Sequence, residues 1–221
     1  MTSWSTLWPL LLDGAKDTLY MTFWSGLFAY LIGLPLGVLL TVTKRDNIMP
    51  APVFNSVVGV ITNFLRSIPF IILLAMLFPV TRVVMGRAIG TRSIIFPLVV
   101  SAFPYVARMV ESSLDEVDHG ILEAAQSMGS TNSQIIFKVL LPEAIPSLVN
   151  GAAITLTTIL AYTAMASAAG GGGLGALAIT KGYQQQKLDI LYSTSIALVI
   201  LVQVITVSGT RLTHVLDHRK K

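Results

Sequence analysis

Glu123-Ala124-Ala125-Gln126-Ser127-Met128-Gly129, followed after nine intervening residues by Val139-Leu140-Leu141-Pro142, is the stretch on which the reading of this chain turns. It lies in a polar island of about 35 residues between Arg108 and Glu143, and the chain on either side is apolar. Small and polar residues flanked by long apolar runs mark a connection between membrane spans, because irregular backbone is not tolerated where it would face lipid.

Composition agrees. Of 221 residues, 53% are hydrophobic and only 12% charged. Mean hydropathy is strongly positive, which places the chain in a bilayer. The length allows a handful of spans and no sizeable soluble domain. Without cysteine, disulfides, thiolate zinc sites and thiol catalysis are excluded. The net charge of +4 comes from basic residues at span ends and does not point to nucleic acid. The first positive charge is Lys16, so the start lacks the basic head of a signal peptide.

Five spans are expected. Thr18 to Val42 carries no charge and is long enough to cross, with Gly33 and Gly37 spaced for close approach by another helix around Pro35. A second helix is expected to start near the headgroups, snorkel Arg66 and cross mainly through 67–81. Ser93 to Ala107, interrupted by Pro97 and Pro104, gives a kinked third span. The fourth begins at Ala144 and ends near Ala168, before a turn or re-entrant segment at Gly170-Gly171-Gly172-Gly173. Ile190 to Thr210 is the fifth.

Orientation follows from Lys and Arg. The side bearing the polar island holds Lys44, Arg45, Arg66, Arg108, Lys138, Arg211, Arg219, Lys220 and Lys221, nine in all. The other side holds six: Lys16, Arg82, Arg87, Arg92, Lys181 and Lys187. The bias favours an outside N-terminus and a cytoplasmic tail, although three arginines on the outer side depart from the rule.

Within the island, Asp118 is placed to cap a short helix through Glu123, and Gly129 to end it in a left-handed conformation. Thr131 and Gln134 have capping-box spacing for a second short helix, which Pro142 should stop or bend. Ile135, Ile136, Val139 and Leu140 fall on one side of it. Six of eleven acidic residues (Glu111, Asp115, Glu116, Asp118, Glu123 and Glu143) lie in or beside this region, so an acidic knob is expected.

The Glu-Ala-Ala…Gly…Val-x-Leu-Pro pattern resembles the cytoplasmic loop of ATP-driven importer permeases, the EAA loop of the ABC family. Phe64-Leu65-Arg66-Ser67-Ile68-Pro69 is similar to a segment of the same family, where Arg and Pro are frequent. Val139 stands where that pattern usually has Ile. Within the family, the size, the five spans and the Ala164-Met165 pair before the glycines resemble permeases of methionine importers.

The resemblance implies an all-α polytopic inner-membrane protein, about five transmembrane helices with a short cytoplasmic coupling-helix pair. Residues 1–221 then form a single transmembrane permease domain with a coupling region at about 115–142. It assigns ATPase coupling to Glu123, Ala124, Ala125, Gly129, Val139, Leu141 and Pro142. It sets Tyr162 and Met165, which share a face of the fourth span, on the translocation path or gate. The implied partners are two cytoplasmic ATP-binding subunits, a second copy of the chain and a periplasmic or lipid-anchored substrate-binding protein. No cofactor is expected.

Other motifs have plainer readings. Gly170, Gly172 and Gly175 satisfy a dinucleotide fingerprint, but no strand precedes them, so they read as a structural turn. No Gly-Lys pair occurs, which removes a phosphate-binding loop and leaves ATP hydrolysis to a partner. His214 and His218 have metal-pair spacing without a third ligand and read as a solvated tail. The rival function is a secondary transporter or channel subunit working without an ATPase. The fourth and fifth spans lack the buried acids that ion relays use, which argues against it. A membrane-embedded enzyme is the third option, and no span carries a catalytic constellation.

Overall fold

The computed structural model describes residues 4–216. Nine α-helices order the described chain: α1 (Trp4–Val42), α2 (Pro52–Ser67), α3 (Phe70–Met85), α4 (Ile95–Asp115), α5 (His119–Ser127), α6 (Asn132–Ile135), α7 (Leu141–Ala166), α8 (Gly173–Ala176) and α9 (Leu188–Leu216). Wider π-turns join α6 to α7 at Ile136–Leu140 and follow α8 at Leu177–Tyr183. Among the described residues four helical runs are long and apolar enough to cross a membrane; α2 and α3 pass only together, as a pair bent by 104°, so the count is five where that pair is one broken span and four where it is a re-entrant loop. The fold is therefore all-α and polytopic, as expected.

Three boundaries differ from the sequence reading. First, α1 begins at Trp4, well before Thr18. Asp13 and Lys16 pair one turn apart at 3.3 Å and Thr18 Oγ1 donates back to the Gly14 carbonyl, so the charged stretch stays helical. Second, the single helix expected to carry Arg66 and cross through 67–81 is two helices, α2 with Arg66 and α3 from Phe70 on. Pro69 caps α3 with extended backbone, lacks an N–H and pushes Ile68 out of the α region. Third, α4 continues through Arg108 to Asp115 because its charges find partners inside the fold. His218, Arg219, Lys220 and Lys221, on which the tail and metal-pair readings rest, lie outside the described residues.

The chain divides into two units. One comprises residues 4–29, 68–102 and 155–206. Its core is Met21, Phe70, Leu74, Ile94, Leu98 and Ala166, with Leu7, Leu177 and Ile190 forming a second cluster. The fourth span ends as expected: α7 stops at Ala166, a single 3₁₀ turn follows, and Gly170 is left-handed. The glycine turn then lies against α1. Thr18 Oγ1 accepts from Leu174 N at 2.9 Å, and a Cβ on Gly173, whose φ is +90°, would sit 2.6 Å from that hydroxyl. No strand precedes these glycines, which form a close-packed turn.

The other unit comprises residues 30–67, 103–154 and 207–216. Here the Gly33/Gly37 spacing does what it promised. A Cβ on Gly33 would lie 2.6 Å from Val106 Cβ, and one on Gly37 2.6 Å from Val110 Cβ, so α1 meets α4 backbone to side chain.

Candidate functional site

The polar island folds into a two-helix knob within the second unit. Asp118 Oδ1 accepts from Gly120 N at 2.7 Å and caps α5. The helix closes with Gly129 N donating to the Gln126 carbonyl and Ser130 N to the Ala125 carbonyl. That is a Schellman closure, and it needs the positive φ of +78° that Gly129 supplies. At α6, Gln134 N donates to Thr131 Oγ1 and Thr131 N donates to Gln134 Oε1, a complete capping box.

Pro142 does not end the second helix. The backbone widens instead into the π-turn Ile136–Leu140, where Leu141 N donates to the Ile136 carbonyl five residues back, and α7 continues from there. The wider turn accommodates a proline ring that would collide with the carbonyl four residues earlier in a regular helix. It also aligns side chains. In a regular helix Ile135 and Leu140 would point about 140° apart, yet both are fully buried. Leu122 and Ala125 of α5 are buried as well, and α5 packs on this second helix.

The spacing of the motif thus has a mechanical meaning. Ala125 faces inward and is buried, Glu123 and Ala124 face outward, and Gly129 turns the chain. Val139 and Leu141 are half-buried and Pro142 is exposed. Sequence reasoning missed two outward apolar residues, Met128 at 79% exposure and Phe137 at 68%. Phe137 was discernible as the apolar residue off the Ile135/Ile136/Val139/Leu140 face.

The knob is less acidic than expected. Glu111 takes Lys44 on one carboxylate oxygen at 3.1 Å and Arg108 on the other at 2.5 Å, and Asp115 takes Lys44 at 2.5 Å. Asp118 is occupied by capping. Of the six acids, Glu116 and Glu123 are exposed and have no basic partner among the described residues. Lys44 lies just beyond α1. Burial alone would lower its pKa, but the Asp115 and Glu111 carboxylates outweigh burial and hold it above the usual lysine value. A hollow of about 260 Å³ lies between the end of α4, the start of α7 and α9, lined by Ser113, Glu116, Glu143, Ser147, Asn150 and Thr213.

Tyr162 and Met165 lie in the first unit and do not share an environment. The Tyr162 ring is half-buried and stacks on Phe70, centroids 4.7 Å apart and planes at 5°. Met165 is 51% exposed. No group of metal-ligating side chains occurs among the described residues.

The profile of the family described as "Binding-protein-dependent transport system inner membrane component" matches residues 33–221. The probable D-methionine transport system permease protein MetI of Vibrio cholerae is 45% identical over 210 residues, covering 95% of this chain and 93% of that protein. Its Escherichia coli K12 counterpart is 52% identical over 156 residues, 71% of this chain and 72% of the other. Among solved structures, a chain of the MetNI methionine ABC transporter in inward-facing conformations matches with a TM-score of 0.96 at 46% identity, covering 98% of this chain and all of that one.

Proposed function

This chain belongs to the family of binding-protein-dependent transport system inner membrane components, and from that premise we propose that it is the permease subunit of an ATP-driven methionine importer. Two copies pair to enclose the path, and two separate ATP-binding subunits dock on them from the cytoplasm. The chain itself does no covalent chemistry.

The observation that supports this reading best is the exposed, doubly capped knob of α5 and α6. Its outward residues Glu123, Ala124, Met128 and Phe137 combine one free carboxylate with apolar surface. Such a face fits a groove on a soluble partner that offers dipolar or basic groups around an apolar floor. Gly129 sets the angle between the two short helices, while Val139, Leu141 and Pro142 form the junction with α7. One helical run, Asn132–Ala166, carries the second half of the knob and Met165 alike. Nucleotide-driven closure of the ATPases therefore moves the knob, and α7 carries the movement toward the path. Tyr162 and Met165 line the narrow part of that path. An external binding protein delivers the substrate, in keeping with the family's description. Methionine as substrate rests on the likeness to the methionine permeases.

Reconstitution tests the reading. The chain co-expressed with its ATP-binding subunit should copurify and drive methionine uptake into proteoliposomes only with hydrolysable ATP. Glu123→Lys should insert normally and lose at least tenfold in copurified ATPase. Uptake driven by an ion gradient without ATP would replace this reading with a secondary transporter.

A further inference from the structure

We propose that Lys44, Arg108, Glu111 and Asp115 form a polar clamp that passes the movement of the knob to α1 and α2, making them positioning residues for transport. This rests on the reading of residues 119–142 as the ATPase-coupling element.

The geometry is confined to one unit and runs outward from the knob. Asp115 ends α4 and Asp118 caps α5, with only Glu116 and buried Val117 between them. Val117 N donates to the Leu114 carbonyl, which tightens the link further. A displacement of α5 is therefore delivered to the end of α4. From there Asp115 and Glu111 hold Lys44, on the turn after α1, and Glu111 holds Arg108. Arg108 Nη2 donates at 2.9 Å to the carbonyl of Gly59, in the middle of α2. A Cβ at Gly59 would sit 3.2 Å from that nitrogen, so a glycine keeps the approach open. Asn55, near the start of α2, donates to the Leu40 carbonyl and to Thr43 Oγ1 and closes the circuit back to α1.

The chemistry suits transmission better than simple stability. Glu111 is largely buried and pairs with two cations, so removing either cation leaves a charge short of compensation. Arg108 Nε is buried and has no acceptor among the described residues. That donor is available to a new acceptor when α4 shifts, so the guanidinium can change partners without losing its charge contacts. Apolar packing alone would let α2 slide on α4, whereas a bidentate cation fixed to a backbone carbonyl moves with it.

The full complex with its ATPase subunits, in proteoliposomes, decides the matter through the number of methionine molecules imported per ATP hydrolysed. Lys44→Glu and Arg108→Lys should assemble and hydrolyse ATP while that ratio falls at least threefold; Arg108→Lys keeps the charge but loses the second nitrogen. Lys44→Glu combined with Asp115→Lys should recover at least half of the ratio, and Lys44→Arg should keep it. A clamp that serves folding alone would lower the yield of complex and leave the ratio of the assembled fraction unchanged, and that result overturns the proposal. Glu123→Lys run in parallel separates the two readings. If it still docks the ATPase, the coupling assignment fails; if it does not dock while the clamp variants keep a normal ratio, only the clamp fails.

Discussion

At Gly129 the backbone has a φ of +78° and an added Cβ would meet nothing within 4 Å. A side chain there acts through the backbone alone, at about 1 kcal/mol for alanine and more for a β-branched residue. Asparagine tolerates the left-handed region. Gly129→Asn should therefore keep most ATP-driven uptake, while Gly129→Val should insert yet lose copurified ATPase and uptake; equal uptake by both would show that the turn angle is immaterial. Lys44 gives a prediction with a definite sign. Its pKa is raised above the ordinary 10.5, so its stabilisation is complete below that value and is lost as pH climbs through the raised value. The difference in thermal midpoint between the wild type and Lys44→Gln should be constant at neutral pH and shrink above about pH 10.5. At this scale the sequence was half legible. Asp118, Thr131, Gln134 and Gly129 announce their roles because their partners lie within a few residues. Lys44 and Asp115 are 71 residues apart and Arg108 and Gly59 are 49 apart, so their pairing is a product of the fold.

Among the elements, α5 and α6 were readable because capping is local chemistry. The break between α2 and α3 was not, although Pro69 signals it, because the apolar run on both sides suggested one crossing. Charge misled at α1 and α4: Lys16 and Arg108 looked like span ends, yet an ion pair within a helix lets the helix continue. The π-turn at Ile136–Leu140 has no signature beyond the proline that follows it. On α7, Met165 offers a direct test of the path. A cysteine placed there, in a chain with no other, should react with a small thiol reagent at a rate that changes severalfold between nucleotide states. Inertness in every state, together with normal transport by Met165→Ala, would move the gate elsewhere. Tyr162 stacks on Phe70, so Tyr162→Ala should also lower stability, by about 3 kcal/mol or more if truncation leaves a cavity.

For the molecule as a whole, hydropathy sufficed to read a polytopic helical protein, because it depends only on local composition. The division into two units was not readable, since each gathers three separated stretches of chain. The positive-inside bias predicts a cytoplasmic knob, and exposed described positions test that expectation. Cysteines at Gln185 and Met128 should label oppositely in intact cells, an impermeant reagent reaching 185 and sparing 128. The reverse pattern would put the knob outside, beyond reach of any cytoplasmic ATPase. Along α9, outward Tyr192, Ile196, Val199, Ile200 and Val204 leave an apolar face for lipid or a second copy. The π-turn, finally, bears on how a chain of this kind can change length. Such a turn is a regular helix holding one residue more than it needs. Deleting a single residue within Ile136–Leu140, together with replacement of Pro142, would let the turn relax to ordinary pitch with the flanking surfaces still in register. The same deletion within α7 would rotate everything beyond it by about 100°. Across descendants of this chain, single-residue gaps in the helical run Asn132–Ala166 should collect at that turn, in company with loss of Pro142, and be purged from α7.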